Sequence, residues 1–340
     1  MATAPHRSDE GAPTGRVLAV QDRIDVPGAP LGITLERWGP EQGAPVVLVP
    51  GLGASPLAFR LHPRESLVAA LSARGRTPWT VDFGVSWRGR NQGAAALRHG
   101  LELAVVELRR HVGVELDEID AIGHSLGGIL LLALLADGVP LRRVVTLASG
   151  IDYRLGKSPL PRLLSLAPKG MRPLRLPAPS GGVPLRGLAR VGASAFGRGL
   201  GLPVEKDQFH PGNTDPETLR RAVRDGVRDL PWALLFDLTG LFSEEGIQLG
   251  LQGYPLRAAV RQITQPVLMV GAAQDRQCPI ESVRDAARRV PGSQLIVLGS
   301  GEPGWGHLDL LTGADAPERV FAPTCAFLDA DAPDRSPHAA

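Results

Sequence analysis

Asp117-Glu118-Ile119-Asp120-Ala121-Ile122-Gly123-His124-Ser125-Leu126-Gly127-Gly128, running on into Ile129-Leu130-Leu131-Leu132-Ala133-Leu134-Leu135, is the stretch that decides the fold. A short β-compatible run enters a glycine-rich turn, and an apolar segment of helical length leaves it. At its centre Gly123-His124-Ser125-Leu126-Gly127 fits G-x-S-x-G, which sets a serine on a sharp strand-to-helix turn with its hydroxyl exposed. Gly123 and Gly127 have a steric task there, because side chains at these positions would meet neighbouring backbone. A helix starting at Leu126 points unpaired N–H groups and the positive end of its dipole at the serine, which favours a developing oxyanion. The bland alternative is a glycine-rich turn with an idle serine, so the serine's partners have to be found.

Outward from this stretch the pattern alternates. Arg16–Val20 and Gly32–Trp38 are short strand candidates, and Ala44–Pro50 is an apolar run suited to a strand covered on both faces. Helical periodicity over Pro63–Arg74 stops at Gly75, Thr77–Asp82 reads as a strand, and Ala94–Val112 as a helix. Ile119–Ile122, Leu126–Ala136 and Val144–Ala148 continue as strand, helix, strand. From Ser149 to about Thr264 no clear strand appears; Asp215-Pro216-Glu217 opens a helix there, and Leu230–Phe242 reads as another. Alternation resumes with a strand at Pro266–Gly271, a helix at Glu281–Val290, a strand at Gln294–Leu298 and a helix at Pro317–Leu328. The expected fold is α/β, a mostly parallel sheet with helices on both faces, split by an insertion. The expected division is a core over 15–148 and 265–330, a helical and loop-rich cap over 149–264, and disordered tails at 1–14 and 331–340.

The totals narrow the function classes. An apolar share of 43% supports a sizeable core, and a net charge of +2 makes no case for nucleic acid. Of the 37 basic residues other than histidine only three are lysine (Lys157, Lys169, Lys206), a bias that reads as genomic composition. Two cysteines, Cys278 and Cys325, are too few for a disulfide framework and are expected as unpaired thiols. The first fifteen residues carry no apolar signal-peptide core, and no run approaches the ~20 apolar residues of a membrane span, so a cytoplasmic location is expected.

An unassisted serine is a poor nucleophile; it needs a base, and the base an orienting acid. Among eight histidines, His6 and His338 lie in the tails, and His99 and His111 in a helix on the serine's N-terminal side, where they are expected to be exposed. His124 adjoins the serine and cannot curl back onto it, while His62 and His210 lie in loops, either one a candidate pocket residue. His307, in Gly304-Trp305-Gly306-His307-Leu308-Asp309, follows the last strand, where ligands bind in open α/β sheets, and completes the order Ser…Asp…His. The acid is expected at Asp275, after the strand ending near Val270; Asp152 and Asp309 are rivals. Oxyanion donors are expected at the backbone N–H of Leu126 and at Leu52, in the loop Gly51-Leu52-Gly53 after the Val46–Val49 strand.

Val49-Pro50-Gly51-Leu52-Gly53, the Gly123–Gly128 elbow, Asp275 and Gly306-His307 together resemble the α/β-hydrolase superfamily, over about residues 40–150 and 262–330. The resemblance implies a serine hydrolase, chiefly of carboxylic esters, with neither cofactor nor metal. Phe59–Leu71 and Gly306-His307-Leu308-Asp309 are similar to acid lipases and bacterial polyhydroxyalkanoate synthases. Those synthases use cysteine where this chain has Ser125, which favours a hydrolase. Many relatives have His-Gly at the oxyanion loop; this chain has Pro50-Gly51.

Substrate readings come from the insertion. Between Tyr153 and Val204 there is no acidic residue and there are nine basic ones: Arg154, Lys157, Arg162, Lys169, Arg172, Arg175, Arg186, Arg190 and Arg198. This suits contact with a lipid interface or an anionic acyl substrate, or is simply an arginine-biased lid. Trp232 and Phe236, in the apolar run to Phe242, are candidate substrate contacts or plain cap core. The expected substrate is a small-molecule or lipid ester. An acyltransferase or thioesterase with the same triad, a peptidase, and a non-catalytic binding protein of the same fold are the alternatives; a dehalogenase or epoxide hydrolase needs Asp where Ser125 stands.

Overall fold

A computed structural model describes residues 19–86, 88, 93–158, 181–249, 254–299 and 304–330. The tails expected at 1–14 and 331–340 lie outside the described residues. The principal sheet has eight strands in the order β1-β2-β4-β3-β5-β6-β9-β10. These are β1 Val20–Asp25, β2 Thr34–Trp38, β3 Ala44–Val49, β4 Arg76–Asp82, β5 Asp120–His124, β6 Val144–Leu147, β9 Val267–Ala272 and β10 Gln294–Leu298. The β1–β2 and β2–β4 pairs are antiparallel and every pair from β4 to β10 is parallel. The parallel strands are covered on both faces, which explains their apolar sequences: Val46, Val47, Leu48, Val144, Val145 and Val267 are fully buried.

The first described strand extends beyond the stretch the sequence suggests. Residues 16–18 of the expected Arg16–Val20 strand lie outside the described residues; the described strand is Val20–Asp25, whose polar VQDRID sequence hides the signal because β1 is an edge strand exposed along most of its length. The helix expected over Pro63–Arg74 is shorter, Leu67–Ala73 (α1), because Ser66 caps it: its Oγ accepts the Ala69 N–H at 3.2 Å, worth about 1 kcal/mol. Helix α2, Ala94–Val112, and helix α3, Leu126–Ala136, have the expected bounds. Gly93 offers α2 no side-chain cap; Asp237, from the stretch between β6 and β9, supplies it by accepting the Ala94 N–H at 2.7 Å.

Helix α3 is apolar all round because it is surrounded, with Leu126 to Leu135 all buried. At the opposite edge of the sheet, where β5 begins, Asp120 is fully buried and shared by Arg76 (2.5 Å) and Arg142 (Nε at 2.9 Å). Burial raises the Asp120 carboxyl, and the two guanidinium groups pull it back down.

Among the described residues between β6 and β9, none adds a strand to this sheet. They include a two-residue ribbon, β7 Gly182–Val183 with β8 Leu230–Pro231, and several helices, among them Leu185–Gly192 and Pro216–Gly226. The latter begins as expected, with the Asp215 carboxylate accepting from Glu217 and Thr218 and Pro216 at its first position. The helix expected over Leu230–Phe242 is shorter, Trp232–Asp237, because Leu230 and Pro231 pair as β8; a 3-10 turn follows over Leu238–Phe242.

Candidate active site

From Ile119 to Leu135 every residue is buried except Ser125. Its backbone has φ 54° and ψ −120°, a conformation that costs an L-residue about 1–3 kcal/mol and persists only where the surroundings impose it. Those surroundings are identifiable. The Ser125 N–H donates to Leu147 O at 2.7 Å, and the Ser149 hydroxyl donates to Ser125 O at 2.8 Å, so β6 and the residue just beyond it hold the turn. A Cβ on Gly123 would stand 2.4 Å from Gly128 N, and one on Gly127 2.1 Å from Val49 O. Glycine at both positions lets β5, α3 and the end of β3 close together.

Asp275 and His307 meet. The His307 Nδ1–H donates to Asp275 Oδ2 at 2.7 Å, and both residues are buried. The other oxygen of Asp275 accepts the Gln277 and Cys278 N–H groups at 2.7 and 2.9 Å, so the turn after β9 orients the carboxylate through contacts separate from the imidazole. With Nδ1 engaged, Nε2 is the ring nitrogen left for another partner. The His307 turn is tied to the elbow as well: its carbonyl lies 3.1 Å from His124 Nε2, and the two rings are 4.7 Å apart. A carbonyl only accepts, so His124 carries its proton on Nε2. Burial first, and then the charge of His307, lower the His124 pKa to about 3, which keeps this ring neutral.

The rivals are occupied elsewhere. Asp152 pairs with Arg154 and Arg257, chiefly the former, which hold its pKa at about 2. Asp309 is fully buried and accepts the His210 and Gly306 N–H groups and the Thr214 hydroxyl. His99 and His111 are exposed on α2, and His111 faces Asp22. His62 is buried, with Nε2–H donating to Gly313 O and Nδ1 accepting from Arg64 and Glu65. His6 and His338 lie outside the described residues.

Leu52 and Leu126 both line a cleft beside Ser125, with Phe83, Val85, Leu97 and Leu234 as its apolar wall and the Arg228–Asp82 ion pair as its polar one. Its free space is about 10 Å³, room for roughly one water molecule. The Leu126 N–H, first in α3, has no acceptor within its own helix. Gly51 brings the Leu52 loop against the elbow, where a Cβ would be 3.0 Å from Ser125 Cβ. Of the expected substrate contacts, Trp232 and Phe236 are half-buried and do not line this cleft, whereas Leu234 does. On a helix the residues facing one way recur every three to four positions, so the face that holds Leu234 excludes its neighbours two away. A wider depression beside Arg109, Arg110 and Glu115 lies at the C-terminal end of α2, the opposite edge of the sheet, with no nucleophile or histidine in its lining.

Cys278 and Cys325 are unpaired and buried, as the sequence suggests. Among the described residues no group of three or more His, Cys, Asp or Glu is placed to hold a metal, and no helix is long and apolar enough to cross a membrane. Of the nine basic residues in the Tyr153–Val204 stretch, Arg162, Lys169, Arg172 and Arg175 lie outside the described residues. Sequence reasoning missed Ser149 and Gln274. The latter accepts the Trp305 N–H at 2.9 Å, joining the acid's turn to the histidine's. No sequence signal marks either one, since each acts on a distant backbone group.

The model of the alpha/beta hydrolase family matches residues 46–323. No curated protein matches the chain in sequence. Solved structures do. The chain resembles the carboxylesterase CesB from Bacillus subtilis at TM-score 0.59 and 17% identity, covering 92% of each chain. It resembles a bromoperoxidase from Bacillus anthracis at TM-score 0.57 and 17% identity, over 91% of this chain and 99% of that one. An esterase from Exiguobacterium antarcticum is similar at TM-score 0.54 and 14% identity, over 88% and 97%. Identities this low speak for the fold and not for the substrate. With the family match spanning most of its length, the chain is a member of the alpha/beta hydrolase family.

Proposed function

We propose that the protein hydrolyses carboxylic esters through Ser125, His307 and Asp275, with the inserted segment 149–264 as a cap over the site. The observation that carries this reading is the Asp275–His307 hydrogen bond of 2.7 Å on a turn tied to the elbow, where Ser125 alone is accessible. In this reading Ser125 Oγ attacks the ester carbonyl carbon while His307 Nε2 takes the hydroxyl proton. The Leu52 and Leu126 N–H groups hold the oxyanion that forms, and Asp275 stabilises the imidazolium. As the C–O bond breaks, His307 returns the proton to the leaving alcohol. Water then attacks the acyl-enzyme with His307 again as base, and the acid leaves with Ser125 restored.

Phe83, Val85, Leu97 and Leu234 beside the two donors support an acyl group there. A fluorophosphonate probe tests the reading directly: it should label the wild-type chain and fail to label Ser125→Ala. Labelling that persists in the variant rejects Ser125 as nucleophile.

A further inference from the structure

The turn that bears His307 is held from three sides. Asp275 and Gln274 hold it from β9, His124 from the elbow, and the inserted segment from above. The third hold centres on Asp309. Its side chain is fully buried, and among the described residues no cation pairs with it. It is satisfied instead by three donors: Gly306 N–H (2.7 Å) and His210 N–H (2.7 Å) on Oδ2, and the Thr214 hydroxyl (2.6 Å) on Oδ1. One of these belongs to the histidine's own turn and two to the inserted segment. Burial pushes the carboxyl up from its usual range, and the donors oppose this.

The same segment grips the turn on the other side of His307. The Leu308 N–H donates to Gln208 O at 2.8 Å, Asn213 Nδ2 donates to Gly304 O at 2.9 Å, and Ala314 N–H donates to Asn213 O at 2.9 Å. There is no slack between the two pieces of chain. A Cβ on Gly306 would lie 2.7 Å from His210 N, and one on Gly304 2.3 Å from His210 Nε2. Thus the residues before and after His307, Gly306 and Leu308, are both hydrogen-bonded to this arrangement.

We propose that Asp309 is a positioning residue, through which the inserted segment His210–Thr214 sets where the imidazole of His307 stands. The proposal rests on His307 being the base. It makes residues 208–214 part of the machinery that aligns the base, not a flap that swings clear of it. A base displaced by about 1 Å loses on the order of 100-fold in rate, which is the effect Asp309 guards against. Asparagine at 309 can keep the geometry: its oxygen accepts the two backbone N–H groups and its amide nitrogen donates to Thr214 Oγ, whose own hydroxyl then turns to Thr312, 2.8 Å away.

The test uses the full chain with p-nitrophenyl butyrate as substrate, circular dichroism to measure the folded fraction, and the low-field proton resonance of His307 Nδ1–H as a signature of the Asp275 bond. Asp309→Ala should lower kcat per folded molecule about 100-fold with KM changed less than about threefold, and should shift or broaden that resonance. Asp309→Asn should retain kcat within about fivefold and keep the resonance. The proposal is overturned if folded Asp309→Ala keeps kcat within about threefold of wild type, if activity falls only with the folded fraction, or if Asp309→Asn is as impaired as alanine. Should Asp309→Ala not fold, Thr214→Val decides: a fall in kcat of about fivefold or more at unchanged KM supports the proposal, and a smaller one ends it. His307→Ala separates the two levels of argument. If it stays active, the base assignment has failed; if it is inactive while Asp309→Ala is normal, only the positioning role has.

Discussion

His124 donates its Nε2–H to the backbone carbonyl of His307, 183 residues further along the chain, at 3.1 Å. The residue next to the proposed nucleophile therefore holds the backbone of the proposed base. Its ring is buried and neutral, with a pKa lowered from 6.5 to about 3. In the unfolded chain the same imidazole takes up a proton near its ordinary value, so between pH 6.5 and about 3 the unfolded state binds more protons than the native one. Stability is consequently full above pH 6.5 and is lost as the pH falls through this window, by about 5 kcal/mol from this group. Urea unfolding as a function of pH should show His124→Gln with a shallower acid decline than wild type; equal slopes would mean that His124 does not titrate in this way.

Ser125→Ala should lower kcat on p-nitrophenyl acetate by about 1,000-fold or more with the fold intact, and His307→Ala by a similar factor. Asp275→Asn should cost somewhat less, because it removes the orienting acceptor for Nδ1–H and leaves nucleophile and base in place. Double variants are informative here: members of one catalytic unit are non-additive, so Ser125→Ala/His307→Ala should be no worse than Ser125→Ala alone.

Gly127→Ala places a methyl group 2.1 Å from Val49 O and 2.8 Å from Pro50 O, both backbone atoms that cannot turn aside. The elbow must then separate from the end of β3. We expect a loss of about 3 kcal/mol or more, read as a lowered urea midpoint, together with loss of ester turnover. Gly187→Ala, at a position with open space around its Cβ, is the control and should be near neutral.

Leu234 is 2% exposed and lines the cleft beside Leu52 and Leu126. Leu234→Ala should destabilise the protein by about 2–4 kcal/mol and enlarge the cleft. A series of p-nitrophenyl esters from acetate to octanoate should then show the preferred chain length moving upward in the variant. An unchanged profile would place the acyl group somewhere other than this cleft.

The legible part of this protein is the part encoded locally. Gly123-His124-Ser125-Leu126-Gly127 announces its turn because only glycine fits where Val49 O and Gly128 N approach, and α3 announces its burial by being apolar on every face. The edge strand β1 was harder to read, since a strand exposed on most of its length has no apolar alternation to find. Asp275 and His307 could be paired from the sequence by the logic of a parallel sheet. The turns after β9 and β10 must open on the same edge as the turn after β5, because all three strands run the same way.

What holds those side chains in place was not readable, for a physical reason. Ser149 on Ser125 O, His124 on His307 O, Gln274 on Trp305 N and Asp309 on Gly306 N all end on backbone groups, which every residue carries and no residue type advertises. The amino-acid sequence determined the order of strands and helices, the strained serine and the identities of its candidate partners, through periodicity and steric exclusion. Tertiary structure alone decided the partners that occupy Asp152 and Asp309, the wall of the cleft, and the grip of residues 208–214 on the histidine turn. Those depend on distances between segments far apart in the chain, and a linear string of side chains fixes such distances only once the whole core has packed.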